Sequence, residues 1–374
     1  MSHTDWMAQA LDLAARGIGH VSPNPLVGAV IVKDGRVIGS GYHERYGSSH
    51  AERNALADCT ENPRGATMYV TLEPCAHHGK TPPCTEAILE SGIAAVVIGA
   101  MDPNPRAAGG AEILRQNGVS VIEGVLQDAC LRQNAVFFHY IQRKTPYVIM
   151  KYAMTADGKI ATVTGASRWI TGNAAREHVH RTRHACSAIL VGVGTALADD
   201  PLLTCRLPDG QNPLRIVCDS NLRTPLDSQL VRTAREVPTV IVCAARHDER
   251  RVKDAAPYEA AGCRVISLPG EDGRVDLAAL LEWLHGEKVD SVLVEGGAAL
   301  NYSLLELGLV QKLQVYIAPK VFGGDTAKSP VGGAGVSLPE QAFRLGTPTV
   351  TTIGEDLLLE YDLISGDRGI LEGM

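Results

Sequence analysis

His50-Ala51-Glu52, followed by Pro74-Cys75-Ala76-His77-His78-Gly79-Lys80-Thr81-Pro82-Pro83-Cys84, is the stretch on which the rest of the chain is read. One imidazole and two thiolates suit a tetrahedral zinc with its fourth position left for water, whose pKa falls there from about 15.7 to about 7. Glu52 stands beside these ligands as a carboxylate able to carry the water's proton, not as a ligand itself. At about 100° per residue, positions i and i+2 diverge in mid-helix, so His50 and Glu52 converge on one ion only from a first turn. A helix is therefore expected to start at His50 and run through Leu56. The plain alternative makes His50 a surface histidine and the cysteines small core residues. It would need the upstream His-x-Glu, the strand-like Thr67–Leu72 before Glu73-Pro74-Cys75 and the apolar helix after Cys84 to coincide by chance.

His-x-Glu with a later Pro-Cys and a second Cys is the pattern of zinc-dependent base deaminases, in which the glutamate passes its proton to a ring nitrogen and then to the departing amine. The spacing differs from the usual one. Ala76 to Pro83 stand between the cysteines instead of two residues, and they bring His77, His78 and Lys80. A free base needs no cation at the rim of its site, whereas a phosphorylated substrate does. The insertion points to a nucleotide-like substrate.

A chain of 374 residues with 45% hydrophobic residues has room for two domains with substantial cores. Its net charge of −7 leaves no broad basic surface for nucleic acid, so phosphate contacts have to be local. Nine scattered cysteines make a poor disulfide framework and point to a reducing compartment. The opening MSHTDWMAQALDLAARG lacks a signal peptide's layout, and no apolar run approaches membrane-spanning length. The expectation is a cytoplasmic enzyme of small molecules, with neither membrane nor nucleic acid as partner.

Taken in order, Trp6, Met7, Ala10, Leu11, Ala14 and Ile18 recur at helical spacing, with Thr4 or Asp5 as the cap. Gly28–Lys33, Asp34-Gly35 and Arg36–Gly39 read as a hairpin, because Asp-Gly suits a two-residue turn at positive φ. Ser22-Pro23-Asn24-Pro25-Leu26 between them is a rigid turn exposing Asn24, a residue that in turns often caps its own backbone. After the metal run, a short helix Thr85–Gly92 and an apolar strand Ala94–Ala100 are followed by a second pair, Ala111–Gly118 and Val119–Ile122. This alternation predicts a three-layer α/β/α sandwich. One helix from Asp128 through Tyr140, stopped by Gln142-Arg143-Lys144-Thr145-Pro146, sets a boundary between domains at 1–145 and 146–374.

The second half reads as another α/β domain, with strands at Tyr147–Ala153, Ala188–Val193, Leu214–Cys218, Thr239–Cys243, Arg264–Ser267, Ser291–Val294 and Leu313–Ile317. Leu293-Val294-Glu295-Gly296-Gly297 runs a buried-looking strand into paired glycines and a helix, which suits either a phosphate cradle or a tight connection. Gly192-Val193-Gly194 lacks the third glycine of a Rossmann fingerprint. Lys151, on the opening strand, is a candidate for acid–base work or an exposed edge residue.

Val21 to Gly35, Gly41-Tyr-His-Glu-Arg-Tyr-Gly47, the His-Ala-Glu triplet and Thr71 to Cys84 resemble the N-terminal half of the bifunctional riboflavin-biosynthesis deaminase–reductase family. KYAMTADGKIA, SRWIT, GVGTALADDPLLTCR and VEGGAALNYSLL resemble its C-terminal half, so the resemblance covers nearly the whole chain. It implies a cytidine-deaminase-like first domain and a dihydrofolate-reductase-like second domain using Zn2+ and NADPH. It implies removal of an amine from 2,5-diamino-6-ribosylamino-4(3H)-pyrimidinone 5′-phosphate, followed by reduction of the ribosyl group to ribityl. A homo-oligomer, dimer or tetramer, is expected with it.

Position by position, the resemblance places Asn24 and His43 against the pyrimidine. Ser167, Arg183, Leu203, Arg206 and Glu295 match substrate-contacting positions of the reductase half. Ala153, Trp169, Thr195, Asp199 and Ser220 match cofactor-contacting ones, as does the segment Gly297, Ala298, Ala299, Leu300, Asn301, Tyr302 and Ser303. Arg183 and Arg206 are expected to grip one phosphate bidentately, with His77 and Lys80 meeting it in the deaminase half. Two other classes compete: a nucleic-acid-editing deaminase, against which the acidic balance counts, and a zinc-stabilised binding protein, which would need a closed four-ligand site.

Overall fold

The computed structural model describes residues 1–78, 82–244, 249–270 and 272–364, which form two compact units, Met1–Thr145 and Pro146–Met374. The first opens on helix α1 (His3–Ala14), capped by Ser2 in a reciprocal pair with Asp5, two residues before the expected Thr4 and three before the expected Asp5. Strands β1 (Gly28–Lys33) and β2 (Arg36–Tyr42) form the hairpin, with Asp34 and Gly35 at φ 49° and 73°. Helix α2 (Ala51–Ala57) lies so close over β2 that a Cβ on Gly41 would come within 2.4 Å of the Ala55 nitrogen.

Strand β3 (Thr67–Leu72), helix α3 (Cys84–Ser91), β4 (Ala95–Ala100), α4 (Gly110–Gln116) and β5 (Ser120–Glu123) complete the sheet, in the order β2-β1-β3-β4-β5. β1 is antiparallel to both neighbours, and β3, β4 and β5 are parallel. Met7, Ile31, Met68, Ile98 and Leu114 are fully buried in its core. The single helix expected from Asp128 to Tyr140 is two helices, α5 (Gln127–Gln133) and α6 (Ala135–Arg143), separated at Asn134. The buried Asn134 amide takes both backbone groups of Leu26, Oδ1 accepting from N at 2.8 Å and Nδ2 donating to O at 2.9 Å. Its side chain thereby fixes the Pro-Asn-Pro turn, which a continuous helix would not.

The second unit begins with β6 (Tyr147–Thr155), α7 (Asn173–Ala185), β7 (Ala188–Gly192), α8 (Val193–Asp199) and β8 (Leu214–Cys218). It continues through α9 (Gln229–Arg232), β9 (Thr239–Cys243), α10 (Glu249–Ala261), β10 (Arg264–Ser267) and α11 (Leu277–Gly286). It ends with β11 (Ser291–Val294), α12 (Ala298–Glu306), β12 (Lys312–Ala318) and a hairpin of β13 (Thr349–Ile353) and β14 (Asp356–Asp362).

The nine strands are ordered β10-β9-β8-β7-β11-β6-β12-β14-β13, parallel from β10 to β12 and antiparallel over the last two pairings. β6 lies between β11 and β12, so the edge reading of Lys151 is corrected: it stands on an interior strand with its side chain 15% exposed. The terminal hairpin was not anticipated. Among the described residues, no helix is long and apolar enough to cross a membrane.

Candidate active sites

In the first unit, His50 is the residue that caps α2 from outside, with extended backbone (φ −76°, ψ 162°) and no side-chain capping bond. That leaves its imidazole free to turn toward Cys75, just beyond β3, and Cys84, the first residue of α3. His50 Nδ1 lies 3.5 Å from the Cys75 sulfur and 3.4 Å from the Cys84 sulfur, and the three ligand atoms are all within 4.8 Å of one another. A borderline-soft N,S,S set this close fits zinc. The Cys84 thiol and the Cys84 backbone N–H, 3.4 Å away, both point at Cys75 Sγ, which lowers the Cys75 thiol against the opposing effect of burial. Its hydrogen bond to Cys75 raises the His50 imidazole.

Glu52, in the first turn of α2, is 3% exposed, and burial raises its carboxyl while His50 opposes the shift. His50, Glu52 and Cys75 line a cavity of about 290 Å³ with Asn24, His43, His77, Asp102 and Asn104. Ser49's carbonyl can only accept, so the 3.0 Å contact from His43 Nδ1 puts the ring proton there; burial lowers His43, leaving Nε2 an acceptor. The Asn24 amide nitrogen, 3.1 Å away, then donates to His43. Arg53 ties the end of the inter-cysteine insertion to α2, donating to the carbonyls of Pro82 and Pro83.

The second unit gathers charge instead. Glu295, directly after β11, accepts from Arg183 of α7 through Nε (2.6 Å) and Nη2 (3.1 Å), and Lys151 Nζ lies 3.5 Å from its Oε2. Burial would raise the Glu295 carboxyl, but Arg183 and Lys151 override it and hold it at about 2. Beside this cluster, Gly297 precedes the first turn of α12 with no side-chain capping bond. A Cβ on Gly297 would stand 3.5 Å from Thr195 Oγ1, and one on Gly296 only 2.8 Å from Leu300. Bare backbone N–H groups at an uncapped helix N-terminus suit the phosphates of a nucleotide cofactor.

The matching family models are the cytidine and deoxycytidylate deaminase zinc-binding region over residues 1–100 and the RibD C-terminal domain over residues 146–359. The riboflavin biosynthesis protein RibD of Actinobacillus pleuropneumoniae is 53% identical over 98% of this chain and 96% of its own. The chain belongs to the RibD family. RibD of Escherichia coli is 40% identical over 86% of this chain and 88% of its own. A Thermotoga maritima structure described as a diaminohydroxyphosphoribosylaminopyrimidine deaminase/5-amino-6-(5-phosphoribosylamino)uracil reductase superposes with a TM-score of 0.85 at 38% identity, covering 97% of this chain and 99% of its own. RibD of Acinetobacter baumannii gives 0.85 at 34% identity over the same shares. As a member of this family, the chain is a riboflavin-pathway enzyme with a deaminase and a reductase domain.

Placed on this RibD fold, the residues assigned from sequence separate into groups. Asn24, His43 and His77 meet in the deaminase cavity; His78 faces Glu86 at 3.0 Å; Lys80 lies outside the described residues. Arg183, assigned with Arg206 to the phosphate, has one edge of its fork on Glu295 and donates from Nη1 to the Thr204 carbonyl at 2.9 Å. Arg206 is exposed. Leu203 is 3% exposed at φ 53°, its side chain packed in the core, so only its backbone can meet a substrate.

Ser167 Oγ donates to Asp199 at 3.1 Å, linking one substrate and one cofactor position. Trp169 is 60% exposed with the Arg176 guanidinium 4.5 Å above its ring; Ala153 is on β6, and Ser220 follows β8. On α12, Ala298, Ala299, Leu300 and Ser303 flank two side chains already engaged by a loop: Asn301 donates to Pro330 O and Tyr302 to Gly335 O.

Sequence reasoning missed Asp102 and Asn104. Burial raises the Asp102 carboxyl to about 6 inside the RibD deaminase cavity. Glu73 holds their loop, accepting from the backbone N–H groups of Asp102 (3.2 Å), Gly109 and Ala111 (3.0 Å each). The signal was present: Asp102-Pro-Asn-Pro105 repeats Ser22-Pro-Asn-Pro25 and follows a parallel strand's carboxyl end, where ligand crevices form.

Proposed function

We propose that the first unit deaminates 2,5-diamino-6-ribosylamino-4(3H)-pyrimidinone 5′-phosphate and that the second then reduces the ribosyl group of 5-amino-6-(5-phosphoribosylamino)uracil to ribityl with NADPH, in the cytoplasm. The observation that carries the first step is one buried carboxylate, Glu52, in the same cavity as a His, Cys, Cys cluster. His50, Cys75 and Cys84 would hold zinc, which when bound supplies a water acid enough to yield its proton near pH 7. Glu52 accepts that proton, delivers it to the ring nitrogen next to the amine-bearing carbon, and returns a proton to the leaving amine. Asn24 and Asp102 orient the pyrimidine, and the insertion with His77 and Lys80 meets the phosphate.

In the second unit, the backbone at the α12 N-terminus, beside Thr195, would hold NADPH, which when bound supplies a hydride. Lys151 and Glu295 then face the sugar's reacting carbon, where Lys151 can give a proton to the ring oxygen as the ribose opens. Arg183 keeps Glu295 ionised and aligned, so the phosphate falls to Arg206. All nine cysteines are free, as a reducing compartment requires.

The test is product mass after incubation with the diamino substrate, once without and once with NADPH. An amine replaced by a carbonyl oxygen in the first, and two further hydrogens in the second, is the expected result. Reduction without prior deamination would overturn the order; no change in either, with zinc bound, would favour a zinc-stabilised binding protein.

A further inference from the structure

We infer that His180 is a positioning residue for the reductase reaction, aiming Arg206 at the phosphate of the substrate. The inference rests on the reading that Arg206 meets that phosphate, and it names what holds the arginine in place. Helix α7 presents His180, Arg183 and His184 along one side. All three reach the segment between α8 and β8. Arg183 Nη1 donates to Thr204 O, the Cys205 thiol donates to the His180 carbonyl at 3.4 Å, and the Gln211 N–H donates to His184 Nδ1 at 3.0 Å. These contacts fix the backbone on both sides of Arg206 but leave its long side chain free to rotate. Among the described residues, the hydrogen bond that restrains it is Arg206 Nε donating to His180 Nε2 at 3.1 Å.

That bond determines the chemistry. Nε2 accepts only from a neutral ring with its proton on Nδ1. Burial, followed by Arg183 and Arg206, pushes the His180 imidazole down to about 4, with Glu295 opposing, so the ring is neutral at the pH of the reaction. A carboxylate here would hold Arg206 equally well but would cancel the charge that the phosphate needs. A neutral acceptor engages Nε of the exposed Arg206 and leaves the charge of its guanidinium intact. With one edge of the neighbouring Arg183 fork bound to Glu295, Arg206 is the cation in this row left to an anionic ligand.

The experiment is reductase kinetics of the full chain with NADPH and the deaminated substrate, with and without its phosphate. His180→Leu removes the acceptor, and His180→Asn is too short to reach Arg206. Both are expected to raise KM for the phosphorylated substrate about tenfold, the loss of one hydrogen bond to a charged group, while kcat and the KM for NADPH stay within about twofold. His180→Gln, whose Oε1 replaces Nε2, is expected to restore the low KM, and the dephosphorylated substrate should not distinguish the variants. Arg206→Ala separates the two layers of the argument. If it leaves KM unchanged, the phosphate reading of Arg206 fails. If it raises KM while His180→Leu and His180→Asn do not, or if His180→Gln is as poor as His180→Leu, the role given to His180 is overturned.

Discussion

In the deaminase half the proposed metal ligands and proton carrier lie between residues 50 and 84 and are placed by the ends of neighbouring elements: the start of α2, the residues after β3 and the start of α3. In the reductase half, Lys151, Arg183 and Glu295 come from the middle of β6, a turn of α7 and the residue after β11, and meet only because β6 and β11 are adjacent in the sheet. The first site is built from ligand types, which a motif can encode. The second is built from charges whose partners lie far along the chain, so no short stretch carries its signature. The two also fail differently: the first depends on a metal, the second on an ion-pair network of low exposure.

Four experiments put this contrast at risk. Chelation, or Cys75→Ser, is expected to abolish deamination while leaving NADPH-dependent reduction of the deaminated substrate unchanged. A parallel loss in both assays would mean that the halves are not independent. Glu52→Gln is expected to lower deaminase kcat by about 10²–10⁴-fold with zinc content unchanged by elemental analysis. A rate near that of the parent chain would remove Glu52 from the proton path.

Glu295→Gln leaves Lys151 and Arg183 without their carboxylate and is predicted to destabilise the reductase half by about 3 kcal/mol, measured by urea unfolding. The pH dependence has a definite sign. A carboxyl lowered from 4.5 to about 2 in the folded state contributes stability that is whole above pH 4.5 and lost as pH falls through 2. The gap between the parent chain and Glu295→Gln should therefore be full at pH 7 and shrink on acidification below pH 4.5. A gap that widened there would contradict the ion pair. The smallest effect belongs to Lys80→Ala, expected to raise the deaminase KM by about tenfold without releasing zinc, as the loss of one charged phosphate contact would. Equal KM values for the two chains would detach the insertion from phosphate recognition.

Local pattern was enough for much of the fold. Asp34-Gly35 encodes its own hairpin, and the strand–helix alternation from Thr67 to Ile122 encodes the layers, because both depend on neighbours in sequence. Asn134 shows where this stops: it sits in a run with helical spacing, yet the helix divides there, where its amide binds the backbone of Leu26 far upstream. Asp102 was passed over for a similar reason. A carboxylate just before Pro-Asn-Pro looks like a turn residue until the sheet brings it into the cavity with Glu52 and burial raises its pKa.

Residue chemistry and spacing in the sequence were enough to propose His50, Cys75 and Cys84 as metal ligands with Glu52 beside them, and to predict the alternation that makes a covered sheet. Tertiary structure alone decided that Lys151 is interior, that Arg183 is bound to Glu295, and that Arg206 leans on His180. Each of these depends on which distant side chains share a space of low dielectric, and a charge in such a space is defined by its partner.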